Sequence, residues 1–413
     1  MTGFTYTDGT LHCDGVPVAG IVTAVGTPVY IYSAAAIRTA YRALDSALAP
    51  FSHTLHYALK ANSTLALVRL LRAEGAHVDA NSGGEIEVAL RAGFQPSDIV
   101  FTGVGKTHDE LERAVALGVK AINIESDGEA ARIDAIARAR GTRARVAIRV
   151  NPDIDPNTHA HISTGQRFNK FGVPIDFVPA LLRETARRPG LEPVGLHVHL
   201  GSQIVDMEPL GRAADLLAGL AREARDSGIR LQHLDLGGGL GVAYDGSAQP
   251  DPVRYAAAIA PVVKAAGLDL LLEPGRHLVA RAGILVGRVA DQKSFPGSPR
   301  FLVLDTGMTE LIRPMLYGAF HRIGAVTPRS GEPQVYEVVG PLCESSDTLG
   351  HERTLGPVEV DDAIAVFDAG AYGVVMASNY NRRRFPAEVL VEDGQWRIIR
   401  RRQTYDELMG YEE

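Results

Sequence analysis

At 413 residues, with 46% hydrophobic and 22% charged residues, the chain has an ordinary globular composition and can bury a large core without crosslinks. A net charge of −7 and a pI near 6 argue against a nucleic-acid binder. Two cysteines, Cys13 and Cys343, cannot build a disulfide framework, and no apolar run approaches the roughly 18 residues of a membrane span. The first ten residues carry neither a basic nor an apolar leader region, so the cytoplasm is the expected compartment.

In chain order, Tyr6 to Tyr32 reads as β-like. From residue 53, short apolar runs then alternate with helix-period segments. Strands are expected at 54–59, 76–80, 98–102, 120–124, 144–150, 194–199, 231–236 and 268–273. Eight such units fit a closed (β/α)8 barrel of the TIM type better than an open doubly wound sheet. The interval 151–193 holds Pro152, Pro156, Gly165, Gly172 and Pro174, and reads as an extended functional loop before one more helix. After residue 280 the rhythm changes to runs at 283–289, 300–304, 335–339, 363–367, 387–391 and 396–400, with few helices between them. This predicts a C-terminal antiparallel β domain completed by the N-terminal segment. The expected division is a barrel over 33–279, inserted into a β-sandwich or barrel-like domain made of 1–32 and 280–413.

Barrel chemistry is built at the C-terminal ends of the strands, and the residues there are unusual. The first strand closes on Lys60, where a desolvated amine would be a nucleophile toward carbonyls; a surface lysine is the plain alternative. The second ends near Asp79. The sixth is Gly195-Leu196-His197-Val198-His199, followed by Leu200-Gly201-Ser202. Its histidines are two apart and face one way, as a metal pair, a stacking surface or buried satisfied groups. The seventh runs through Asp235 into Gly237-Gly238-Gly239, a backbone cradle for an anion or a turn without ligand. The eighth ends in Glu273-Pro274-Gly275-Arg276. Glu273 would suit a protonated pyridine nitrogen or a local arginine, and Arg276 a phosphate or carboxylate. Gly103-Val104-Gly105-Lys106-Thr107 imitates a phosphate-binding loop, but the glycine required five positions before Gly105 is Val100. In the β domain, Cys343 is either a small buried hydrophobe or, beside Glu344, a proton donor. Lysine, phosphate cradle, carboxylate and flat imidazole together point to pyridoxal 5'-phosphate.

Ten short segments, in this order and spacing, resemble the fold type III pyridoxal-phosphate decarboxylases, most closely their diaminopimelate decarboxylase branch. They are 57–62 (Tyr-Ala-Leu-Lys-Ala-Asn), 82–85, 151–153, 162–165, 170–172, 199–203, 237–241, 273–276, 343–347 and 369–373. The resemblance implies that Lys60 anchors the cofactor covalently and that His199 stacks on its ring. Glu273 would pair with the ring nitrogen. Gly239, Gly275 and Arg276 would hold the phosphate side, with Asp79, Ser202, Gly238 and Tyr372 as further cofactor contacts. Arg276, Arg313 and Tyr317 would take the distal carboxylate of the substrate. Glu344 would take its distal ammonium, Tyr372 would touch the substrate as well, and Cys343 would return the proton.

The implied reaction is decarboxylation of meso-2,6-diaminopimelate to L-lysine and carbon dioxide, the last step of lysine biosynthesis, with no metal. It also implies a homodimer with shared active sites, the Cys343-Glu344 segment coming from the second subunit. Lys170 and Asp347 match positions that bridge the chains in relatives. Departures from the family pattern are His77 to Asn81 and Arg167-Phe168. The rival readings are a decarboxylase of ornithine, arginine, lysine or a D-amino acid, a racemase, a non-catalytic relative, and a metal-dependent hydrolase using His197 and His199.

Overall fold

The computed structural model describes residues 3–155 and 169–412, which form two compact units. One contains 41–242 and 249–275; the other contains 1–40, 243–248 and 276–413.

The first unit is a closed barrel of eight parallel strands. They are β1 (His53–Ala58), β2 (His77–Ala80), β3 (Ile99–Phe101), β4 (Ala121–Ile124), β5 (Ala144–Asn151), β6 (Leu191–His197), β7 (His233–Asp235) and β8 (Asp269–Leu272). Each pairs with its sequence neighbour, and β8 closes on β1 with Leu270 opposite His53 and Leu272 opposite Leu55. All eight lie where the alternation of apolar runs places them. The two-residue strand Val173–Pro174 adds to the edge of β5.

Local chemistry fixes where the intervening helices start and stop. Ser82, Thr107 and Ser126 cap helices Gly83–Ala92, His108–Leu117 and Asp127–Ala139 by accepting the N–H of Glu85, Glu110 and Glu129. The first two helices end on left-handed glycines, Gly93 and Gly118. The phosphate-loop imitation after β3 has a structural task instead. Lys106 Nζ donates to Gly103 O and Asn123 O, both at 2.7 Å, and to Glu129 at 3.2 Å. All three ammonium protons are thus used in a buried site, tying the end of β3 to the end of β4.

The second unit is built on a mixed sheet. Val29–Ser33 lies between Gly283–Lys293 and Ala387–Glu392. It is antiparallel to the former and parallel to the latter. Phe301–Leu304 and Gln334–Val339 are also parallel. The expected all-antiparallel domain is corrected here. Hairpin reasoning fails because the paired strands are not neighbours in sequence: about 350 residues separate Val29–Ser33 from Ala387–Glu392.

The N-terminal segment does pair into this sheet, but it also contains a helix, Val18–Val25, that its β-branched apolar run conceals. Leu11, Cys13, Ile21, Val29, Ile31, Ile284, Val286 and Val389 share one buried cluster. Thr348–Leu355 was not foreseen as a strand. Its sequence does not alternate, and its pairing with Gln334–Val339 is interrupted by bulges.

Candidate active site

In the barrel unit, Lys60 sits just past β1 in a single 3-10 turn, Leu59–Ala61. Its Nζ donates to Asp79 Oδ2 at 3.1 Å, and its side chain is 30% exposed. The amine is therefore part-buried and ion-paired, not desolvated as expected from the sequence. Asp79 is fully buried at the end of β2, and its Oδ1 accepts from Asn81 Nδ2 at 2.9 Å. Burial, then Glu273, pushes the Asp79 carboxyl above the usual range, with Lys60 opposing.

Glu273 follows β8 directly and is buried. Its Oε1 lies 3.2 Å from His197 Nε2, off hydrogen-bond alignment, and accepts Thr102 Oγ1 at 3.4 Å. Asn123 Nδ2 in turn donates to Thr102 Oγ1 at 3.0 Å. Burial raises the Glu273 carboxyl, but His197 and Lys60 outweigh it and keep the group an anion. No arginine pairs with Glu273 among the described residues. The local salt-bridge alternative therefore fails.

His197 and His199 do different work. His197 closes β6 and faces Glu273 and Asp235. His199 lies two residues past β6's last strand residue, and its Nδ1 accepts the Gly238 N–H at 3.1 Å, which leaves the ring proton on Nε2. Burial, then Lys60, holds its imidazole well below the usual range, so it presents a neutral flat ring. The triple glycine has a packing reason of its own. A Cβ on Gly237 would strike Val198 O, and one on Gly238 would strike Glu273 O. Gly237 and Gly239 also take φ of 64° and 105°. Ser202 is half-buried in the loop after β6, and Gly275 packs against Ala58 and Ala61.

These residues fit pyridoxal phosphate. An accessible amine stands beside a carboxylate, a glycine loop exposes backbone, and Glu273 Oε2 is buried with no partner among the described residues.

Glu85 caps the same region by accepting the Asn81 N–H at 2.7 Å. Burial pushes its carboxyl up to about 7, against the pull of that N–H. A raised folded pKa means that the native state holds a proton the unfolded state has released, so stability falls as pH rises from about 4.5 to 7, by about 3 kcal/mol in total. Glu85→Gln removes this term. Urea unfolding should show the variant gaining on the parent as pH rises from 5 to 8, and a constant difference would refute the assignment.

In the second unit, Arg276 Nη1 donates to Tyr244 Oη at 2.8 Å and lies 4.7 Å from the ring centre of Tyr372. Arg313 lies 4.6 Å from the Tyr244 ring, and its Nη1 donates to His321 Nε2 at 2.7 Å. His321 Nδ1–H donates to Phe367 O at 2.8 Å, which fixes Nε2 as the acceptor. Burial, then Arg313, pushes His321 down to about 3. Tyr372 adopts φ 55°, left-handed backbone of the kind that gathers at functional sites. Tyr317 closes the short helix Arg313–Tyr317.

Cys343 and Glu344 are exposed, so the buried-hydrophobe reading of Cys343 fails. Asp347 spends its oxygens on the N–H groups of Met308 and Leu342, at 2.6 and 3.0 Å in its own chain. The 162–165 segment and Arg167-Phe168 lie outside the described residues.

Sequence reasoning overlooked Thr102, Asn123, Tyr244, His321 and the buried Arg149–Glu125 pair at 2.8 Å. The sequence does not reveal that Asp235 and Glu273, at the ends of two other strands, stand beside His197. A usable signal existed for Asn123 alone, a lone amide inside the apolar strand β4.

The profile described as the pyridoxal-binding domain of pyridoxal-dependent decarboxylases matches residues 34–280. A diaminopimelate decarboxylase from Pseudomonas aeruginosa is 44% identical over 412 residues, covering 100% of this chain and 99% of that one. The chain belongs to the diaminopimelate decarboxylase family. One from Archaeoglobus fulgidus is 42% identical, with 98% and 97% covered. The crystal structure of the Helicobacter pylori diaminopimelate decarboxylase complexed with L-lysine is 38% identical, with TM-score 0.92 and 95% and 98% covered. The residues matched to the profile contain all of β1 to β8.

Proposed function

We propose that the protein decarboxylates meso-2,6-diaminopimelate to L-lysine and carbon dioxide with pyridoxal 5'-phosphate. The observation that carries the substrate is Arg313. It is a buried guanidinium with no carboxylate partner among the described residues, and its Nε has no hydrogen-bond partner among them. A buried cation calls for an anion, and the distal carboxylate of a diamino-dicarboxylate supplies one. A simple diamine precursor such as ornithine does not.

When bound, the cofactor supplies an electron sink for the pair left behind as carbon dioxide departs. The chain does the rest. Lys60 would hold the cofactor aldehyde through its amine. Glu273, held anionic, keeps a proton on the ring nitrogen. Neutral His199 would offer its flat ring to that of the cofactor. Gly238, Gly239, Gly275, Ser202 and Arg276 hold the phosphate side, with Asp79 beside Lys60. Arg276, Arg313, Tyr317 and Tyr372 orient the substrate. Glu344 meets the distal ammonium, and Cys343 returns a proton to Cα. The exposure of Cys343 and Glu344 supports their service to the pocket of a second copy in a homodimer. Residues 33–279 serve as the cofactor domain, with 1–32 and 280–413 as the β domain, in a cytoplasmic enzyme.

The test is carbon dioxide release from meso-diaminopimelate, ornithine, arginine, lysine and D-amino acids, with and without added pyridoxal phosphate. Cofactor-dependent release from meso-diaminopimelate should exceed the others by at least about a hundredfold. Faster release from ornithine or lysine would overturn the reading.

A further inference from the structure

His197, Asp235 and Glu273 stand at the ends of β6, β7 and β8, at 0, 0 and 2% exposure. One ligand atom from each lies within 4.8 Å of the others. Asp235 Oδ1 accepts the Gly237 N–H at 2.9 Å. Its other oxygen, Oδ2, and Glu273 Oε2 are both buried with no hydrogen-bond donor among the described residues. An orphaned acceptor on each of two neighbouring buried carboxylates marks a missing proton, because such a pair cannot both ionise.

The surrounding charges say which group carries it. Lys60, His197 and His199 act on Glu273 and favour its anion. Asp235 meets Glu273 and Asp79, both acidic, and burial adds to their effect. The remaining titratable neighbours are Lys120, His56, His233 and Tyr255; burial holds both of these histidines below the usual range. Lys60 is already matched by Asp79 at 3.1 Å. His197 faces both carboxylates and can match only one of them, and Lys120 is half-buried and shared with Asp98 and Asp269.

We propose that Asp235 is a neutral carboxylic acid whose proton bridges to Glu273, and that this bridge fixes the Glu273 carboxylate in one orientation. Asp235 is thus a positioning residue that acts through Glu273. The use of the bridge in holding Glu273 toward a pyridine nitrogen rests on the function proposed above. The bridge itself does not. The same triad also has the composition of a metal site, and the experiment separates the two.

Asp235→Asn keeps a donor toward Glu273 and an acceptor for Gly237, whereas Asp235→Ala removes both. The first measurement is the melting temperature of the purified holoenzyme and of D235N from pH 5 to 8. A neutral folded Asp235 faces an unfolded one that ionises near about 4. The native state then holds the extra proton, and the parent loses stability relative to D235N as pH rises. Infrared difference spectra of parent against D235N should show a protonated-carboxyl band in the parent alone. In activity, D235A should lose about tenfold to a hundredfold in kcat, the scale of a misplaced group. D235N should recover most of it, and the visible band of the bound cofactor should shift in D235A only. Parallel melting curves with no carboxyl band would overturn the proposal, as would D235N damaged as severely as D235A, or one equivalent of tightly bound metal lost in D235N. The melting and infrared readouts involve neither substrate nor turnover, so they fail separately from the functional reading.

Discussion

Lys60→Ala protein is expected to fold, to lose at least about 10⁴-fold in decarboxylation, and to show no visible cofactor band that survives gel filtration. Lys60 ends β1 with its amine 3.1 Å from Asp79 and 30% of its side chain exposed. Truncation leaves the buried Asp79 without its ammonium partner, so the melting temperature should fall by a few degrees while the circular dichroism spectrum stays that of the folded parent. The loss is then chemical, because the anchor and the nucleophile are the same atom. Borohydride reduction of the parent followed by peptide mass spectrometry should place a pyridoxyl group on Lys60. Full activity in Lys60→Ala, or an adduct on another lysine, would end the assignment.

Arg313→Ala should lower kcat/KM for meso-diaminopimelate by about 10²- to 10³-fold, some 3–4 kcal/mol of lost carboxylate binding in the transition state. Arg313 is set for this task before any substrate arrives. His321 receives one of its N–H groups at 2.7 Å and is itself locked by Phe367 O at 2.8 Å. Arg313→Lys should rescue little, since a lysine offers a point charge where the site presents a planar fork. The loss should shrink for substrates that lack a distal carboxylate, and this contrast separates lost recognition from general damage. Equal losses on every substrate would return Arg313 to a structural role.

The barrel was legible because its units declare themselves locally through short apolar runs alternating with amphipathic helices, several of them marked by a capping Ser or Thr or a left-handed glycine. The site residues stood at strand ends, where Lys60, Asp79, His197 and Glu273 interrupt apolar sequence. What stayed hidden was pairing across long separations. Nothing near Thr102 or Asn123 announces that they form a hydrogen-bonded line to Glu273, about 170 residues away for Thr102. His321 reads as an ordinary loop histidine until Phe367 O is found beside it. The mixed sheet stayed hidden for the same reason, since strand direction is settled by remote partners.

The place of Val29–Ser33 has a consequence for biosynthesis. This strand leaves the ribosome about 350 residues before one of its neighbours, Ala387–Glu392. Tyr32 Oη donates to Glu388 Oε2 at 2.7 Å across a sequence separation of 356. The nascent chain therefore carries an unfinished apolar edge across that interval, while all eight barrel strands emerge and can close first. An exposed edge of that kind invites pairing with other chains. Truncations before residue 387 should accordingly accumulate as aggregates or chaperone-bound species.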